Sequence, residues 1–442
     1  MSARLVRRQD GPGGERPPEG PGETGTATLA GGDWSGLGLG SPETWPATLR
    51  TVIDLITNSR FPMFVAWGPD LSLLYNDAYA PILGAKHPAA MGRPLREVWG
   101  EIWSDIGPLV ETALTGEATW SEHLPLLMLR NGYPEQTYYT FSYSPVRDEA
   151  GQVAGMFCAC TETTREVLAE RRASFRIALD DALRAIADPV AITQAAAEAL
   201  GRELGVSRVG YGEIVGRGEV GAVERDWVSG PDVPSLAGEA RLLEAFGPDL
   251  IAALRAGDSV IVDDCRADPR VRGKEGVASW ESIGCRSMIT IPLRREKVLA
   301  AVLYVHEPDP RRWTAFDVQL AEDVAQRTWD AVVRARAETA LRESEARFRH
   351  MADSAPALIW MTDERGKVIF ANMHFDHVFG RPNRDMQGEG WTEVIDPADL
   401  ERFRSAMREA FQTRSKFRAE VRVFDRQDQP RWLRCEGVPR TS

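Results

Sequence analysis

Apolar residues change their spacing several times along this chain, and each change marks an element. Leu49, Val52, Ile53 and Ile56 recur at helical intervals, so residues 48–59 read as a helix, with Pro46 suited to its first turn. Residues 63–67 and 71–75 are short apolar runs joined by Gly68-Pro69-Asp70, a turn sequence, and read as a hairpin that Asn76 ends. Short helical pieces follow around Tyr79, Ile82 and Leu83 and over 98–114. Three strand-like runs, 120–127, 137–145 and 153–161, close this first segment, the last two joined by Asp148-Glu149-Ala150-Gly151.

A middle segment, about 172–335, opens with a helical pattern through Leu179, Leu183 and Ile186 and then over 192–204. Strands are expected at 208–215, 224–228, 259–263, 287–293 and 298–306, the last two joined by the charged tip Arg294-Arg295-Glu296-Lys297. An antiparallel sheet flanked by helices is the simplest assembly. From Trp313 to Ala355 there is neither Gly nor Pro, and Thr314 with Asp317 has the spacing of a capping box. One helix of about ten turns is expected there, leading from the middle segment into a third. Leu341 and Phe348 stand seven apart on it, while Arg327, Arg334 and Glu338 interrupt the heptad pattern.

The chain also repeats itself. Residues 63–99 align without a gap on 359–395 at an offset of 296, matching Asn76 with Asn372, Gly84 with Gly380, Gly92 with Gly388 and Glu97-Val98 with Glu393-Val394. Leu73, Leu74, Tyr79 and Leu83 fall on Ile369, Phe370, Phe375 and Phe379. Two copies of one fold therefore bracket a different middle, at a separation far too long for a solenoid.

Length and composition agree with that organisation. At roughly 150 residues per domain, 442 residues make about three domains. The 43% hydrophobic and 27% charged composition is that of ordinary globular protein. A formal charge of -12 argues against a nucleic-acid ligand, because phosphate attraction needs the opposite sign. Five scattered cysteines do not form a disulfide framework, and a reducing cytoplasm is expected. The longest apolar run in the middle, 298–305, is far short of the roughly 20 residues a membrane span needs, and no secretory signal follows the N-terminal arginines. Residues 1–32, rich in Gly, Pro, Glu and Thr, read as a disordered tail.

The repeated unit resembles a PAS domain, through its hairpin ending in Tyr75-Asn76 or Ala371-Asn372, an aromatic three residues on and a glycine eight residues on. The stretch TYYTFSYSPVRDEAGQVAGMFCACTETTREV resembles the closing strands of that fold, although Thr161-Glu162-Thr163-Thr164 departs from the usual Asp-Ile-Thr exit. The middle resembles a GAF domain, through SVIVDDCRADPRV and GCRSMITIPLRREKVLAAVLYVHEPDPRRWTAFDVQLAEDVAQRTWDAV. The expected fold class is thus α+β, three antiparallel sheets with flanking helices: PAS at 45–165, GAF at 172–335, a signalling helix at 336–355 and a second PAS at 356–442.

This order is similar to the sensory part of bacterial histidine kinases of two-component systems. The resemblance implies a cytoplasmic homodimer whose partner is a kinase core or a response regulator. None of the six histidines lies in a phosphoacceptor motif, and neither the ATP-binding boxes nor a GxxxxGK[ST] loop is present, so no catalytic residues are assigned. In the third domain, strands at 417–424 and 431–439 are expected, and the counterpart of 153–161 does not follow, as in a kinase truncated at its C-terminus. A stand-alone adaptor that acts by protein binding is the other reading.

Tyr75, Asn76, Tyr79, Trp99, Asn372 and Phe375 are candidate linings of ligand pockets, with Trp103 and Trp120 weighed beside them. No cofactor or metal is assigned, although an unknown small-molecule ligand fits the resemblance. Cys158 and Cys160 share a strand face, as a metal pair or as core; Cys265 and Cys285 lack the adjacent histidine of bilin-binding GAF domains. His374 and His377 have the spacing to offer a haem ligand from one helix. Asp263, Asp264, Asp268, Arg266 and Arg270 read as a salt-bridged loop rather than a catalytic one.

Overall fold

The computed structural model describes residues 42–271 and 273–439, and the stretch 1–32 lies outside them. Its units are Met1–Ala178 and Leu179–Ser442. Among the described residues the first α-helix of the first unit is Ala47–Thr57, which buries Leu49 and Ile56. β1 (Met63–Trp67) and β2 (Ser72–Tyr75) form the expected hairpin, with Gly68 at φ 80° in its turn. The helix Trp103–Leu114 precedes β3 (Thr119–Met128), β4 (Glu135–Arg147) and β5 (Val153–Glu162).

The order β2-β1-β5-β4-β3 puts the last strand in the centre of the sheet. Cys158 on β5 faces Phe64 on β1 and Tyr143 on β4, so β5 holds two hairpins together. A Cβ at Gly155 would lie 2.3 Å from the carbonyl oxygen of Ala66, and only glycine allows β1 and β5 to approach so closely there. Arg130 pairs with Glu135 at 3.2 Å and with Glu162 at the end of β5 at 2.9 Å.

Sequence periodicity locates the next helix only from Leu179 onward, whereas a single helix covers Thr164–Arg184. Its early turns are charged, and Leu179 and Leu183 are its only buried residues, so no apolar stripe announces the start. In the second unit, Asp188 caps the helix Pro189–Leu204 by accepting from Ala191 N at 2.9 Å.

The six-stranded sheet of the middle has the order β8-β7-β6-β11-β10-β9. β6 (Arg208–Val215), β9 (Val260–Val262), β10 (Ser287–Arg295) and β11 (Val298–Glu307) lie where expected. β7 (Val220–Val228) starts four residues early, and β8 (Ala240–Leu242) and the helices Pro248–Ala256 and Gly273–Ser282 are additions to the expected set.

The long helix is Ala315–Ser354, opened by the capping box: Asp317 N donates to Thr314 Oγ1 at 3.2 Å and Thr314 N to Asp317 Oδ2 at 2.9 Å. Ala321, Ala325, Thr328, Val332 and Ala335 form a buried stripe at alternating steps of four and three. Arg327 pairs with Asp180 and Arg336 with Glu213. Residues 336–351 are all exposed.

Beyond it, β12 (Trp360–Thr362) pairs with β13 (Val368–Ala371), and β14 (Phe417–Phe424) with β15 (Pro430–Gly437). The helices His374–Phe379 and Pro397–Thr413 lie between the hairpins in sequence. Among the described residues no strand joins these two hairpins, the place β5 takes in the first copy.

Candidate ligand cavities and the asparagine latch

Asn76 and Asn372 occupy the same position in the two copies and make the same bonds. Asn76 Nδ2 donates to Ile56 O at 2.9 Å and Phe61 O at 2.8 Å, and its Oδ1 accepts from Met63 N at 3.2 Å. Asn372 Nδ2 donates to Ala352 O at 2.7 Å and Ala357 O at 2.9 Å, and its Oδ1 accepts from Ile359 N at 3.0 Å. Every partner is displaced by the 296-residue offset. In each copy one buried amide thus ties the end of the preceding helix to the first strand, and its hydrogen-bonding capacity is engaged by backbone rather than offered to a ligand. Asn76 adds bonds to Ser59 O at 3.2 Å and from Tyr79 N at 3.1 Å.

The other candidates of the first copy pack as a polar-tipped aromatic core. Trp99 Nε1 donates to Tyr79 Oη at 3.1 Å, and Tyr75 Oη meets His87 Nδ1 at 2.9 Å. Burial pushes the Tyr75 phenol up to about 12, and the Tyr79 phenol rises well above its usual value through burial and the neighbouring Cys160 and Cys158. Cys158 and Cys160 are both buried in this core, and burial raises the Cys158 thiol. Trp103 packs at the edge of the same core, and Trp120 is two-thirds exposed on β3.

In the third domain a cavity of about 400 Å³ opens between the two hairpins. Trp360 of β12 and Leu433 and Cys435 of β15 line it, with Phe375, Met386 and Trp391 from the segment between. Trp391 Nε1 is buried there without a hydrogen-bond partner, and burial moves the Cys435 thiol up to about 11. His374 lines this cavity, whereas His377, its ring 5.7 Å away, is exposed.

The middle domain carries a smaller, half-open cavity of about 110 Å³ on the face of its sheet. Thr290 of β10 and Tyr304 and His306 of β11 line it, together with Phe246 and Trp280. Tyr304 stacks on His306 with ring centroids 4.6 Å apart, and Trp280 meets His306 edge-on at 5.8 Å. Arg208, fully buried, donates to Ile283 O at 2.7 Å, to Pro234 O at 2.6 Å and to His306 Nδ1 at 3.0 Å. Burial first, and the Arg208 charge second, push His306 well below its ordinary value, so the ring is neutral. The lining was not legible in the sequence, because it is drawn from both strand faces and helices; alternate residues 302, 304 and 306 on one strand were the available signal.

Cys265 and Cys285 are buried in the core beside this cavity. Asp264 pairs with Arg286 at 3.0 Å, Arg270 with Asp268 at 2.6 Å and Arg266 with Glu281 at 2.6 Å, while Asp263 Oδ1 accepts from Trp313 N at 3.1 Å. The acidic loop is therefore an ion-paired support of the sheet and of the long helix's first turn.

Residues 57–168 match a PAS fold family, residues 188–332 the GAF domain family and residues 346–442 a second PAS fold family. That order defines a PAS-GAF-PAS sensory region, and signal sensing is the function such domains imply. Over 101 residues the chain is 34% identical to an uncharacterized protein, y4lL, of Sinorhizobium fredii, a match that spans 23% of this chain and 12% of that protein. Among solved structures it is similar to the PixJ GAF-domain of Thermosynechococcus elongatus in its blue-light absorbing form, at 17% identity and TM-score 0.32 over 37% of this chain and 94% of that one. The chromophore-binding domain of the bacteriophytochrome RpBphP3 from R. palustris is similar at 16% identity and TM-score 0.36, over 63% and 94%. These similarities are too distant to transfer a ligand. Among the described residues no helix is long and apolar enough to cross a membrane.

Proposed function

We propose that this chain is the cytoplasmic sensing and dimerisation region of a two-component histidine kinase, with a small ligand in the middle domain and the helix Ala315–Ser354 as its output. The helix itself carries this reading. Its first half is built into the core of the middle domain, its second half is exposed, and its last turn, at Ala352, is held by Asn372. A change in pose of the first half therefore reaches the third domain without a flexible joint.

The exposed half also supports self-association. Leu341 is 61% and Met351 65% exposed, and with Phe348 they follow heptad spacing. A second copy packed along this stripe would bury all three. Light scattering on the purified chain at tens of micromolar tests this: a dimer that Leu341→Glu converts to a monomer is expected, and a wild-type monomer contradicts the reading. Reading the gene beyond Ser442 tests the kinase context; continuation into a phosphoacceptor helix and an ATP-binding domain is expected, and its absence leaves the adaptor reading.

A further inference from the structure

We propose that the middle-domain cavity binds a small uncharged aromatic molecule carrying a single hydroxyl or carbonyl oxygen, held by Thr290 and His306. The assignment rests on the sensing reading of this domain and adds the chemistry of what is sensed.

Size sets the first limit. About 110 Å³ is a little below the volume of an engineered protein cavity, roughly 150 Å³, that takes up benzene, so one six-membered ring is the scale of the occupant. Shape sets the second. Phe246, Trp280, Tyr304 and His306 surround the space with ring faces and edges, which favour a flat aromatic partner.

Two polar atoms then choose the substituent. Met288 pairs with His306, and Thr290 with Tyr304, so Thr290 and His306 are diagonal neighbours on the cavity face of the sheet. Thr290 Oγ1 is buried without any hydrogen-bond partner, an arrangement that is costly unless something fills it. Arg208 can only donate, so the His306 Nδ1 it contacts must be the acceptor, and the ring's proton sits on Nε2. Among the residues that line the cavity, His306 thus carries one N–H donor and Thr290 one hydroxyl that either donates or accepts. A single ligand oxygen satisfies both.

Charge is excluded because the charged groups nearby are already paired or engaged. The terminal nitrogens of Arg208 are engaged by two carbonyls and His306, and its Nε, though unpartnered, belongs to a side chain that does not line the cavity. Arg241 and Glu239 both line the cavity and pair with each other at 2.7 Å, so neither is a free counter-charge for a ligand of either sign. An anion placed inside would lose its hydration without gaining a counter-charge.

The test is calorimetric titration of the full chain with phenol, with benzoate and 1-naphthol as controls for charge and size. Phenol is expected to bind with a dissociation constant of about 10 µM to 1 mM. Thr290→Val, which keeps the shape, should weaken it about tenfold, and Thr290→Ser should restore it. Benzoate and 1-naphthol should not bind. Absence of phenol binding, or equal affinity in Thr290→Val, overturns the ligand assignment. Binding that leaves hydrogen exchange over residues 336–354 unchanged supports the ligand assignment and overturns the sensing reading instead.

Discussion

The two PAS copies start alike and finish differently. Both have the asparagine latch, a first hairpin whose first two pairs correspond, Phe64 opposite Tyr75 and Trp360 opposite Ala371, before a bulge after Met361 shifts the second, and an aromatic three residues after the asparagine. In the first copy β5 lies between β1 and β4 and closes one sheet; among the described residues of the third domain no strand lies between β12 and β15. Five of the thirteen residues of β4 are buried, but none of the eight of β15 is. Tyr79 is packed against Trp99 in the first copy, while its counterpart Phe375 lines a cavity of about 400 Å³. Among the described residues the latch and first hairpin are thus common to both copies, and a closed core is seen in the copy that has the central strand.

The largest effects are expected where the copies agree. Asn76→Ala strands the Phe61 carbonyl and the Met63 amide, removes further bonds to Ile56, Ser59 and Tyr79, and should destabilise the first domain by about 3 kcal/mol. Asn372→Ala removes fewer bonds and should cost about 2 kcal/mol in the third domain. Urea unfolding followed by domain-resolved hydrogen exchange separates the two; equal and negligible losses would show that the latch is not structural.

Where the copies differ, the same substitution should have opposite signs. Cys158→Leu overfills a closed core and should cost about 1–3 kcal/mol. Cys435→Leu adds carbon to an open cavity and should be neutral or stabilising by about 0.5 kcal/mol. A destabilising Cys435→Leu, measured in the same denaturant series, would mean that the third core is already closed.

A smaller contrast lies in pH. Glu162 sits at the end of β5; burial opposes its ionisation, but hydrogen bonds and charge from Arg130 outweigh it and hold its carboxyl below the usual 4.5. The unfolded chain then takes up the proton first, so this contribution is present above about 4.5 and is lost as pH falls below it. His306 in the middle domain is also depressed, from 6.5. Its contribution is likewise complete above about 6.5 and lost below. Melting midpoints by domain should therefore fall first in the middle domain on acidification, and in the first domain only nearer pH 4.

Much of this architecture was legible in the chain. The repeat was visible because glycines, an asparagine and alternating apolar residues keep their spacing, and the long helix because 43 residues from Trp313 to Ala355 contain no breaker. The central position of β5 was not, since strand order is a property of space and β5 is last in sequence. Asn76 and Asn372 stood out only as a shared residue; that their amides bind backbone 13 to 20 residues away emerges from the fold. The middle cavity was hidden because Thr290, His306 and Trp280 converge from separate elements.

The least perturbing measurement is native hydrogen exchange resolved to single amides. The amides of Met63 and Ile359, both bonded to a latch asparagine, should be protected. The edge amides of β1 and β4 that face β5 should be protected as well, while those of β12 and β15 facing the cavity exchange within seconds. Equal protection of the four strand edges, or free exchange at Ile359, would contradict the account of one latch shared by a closed and an open sheet.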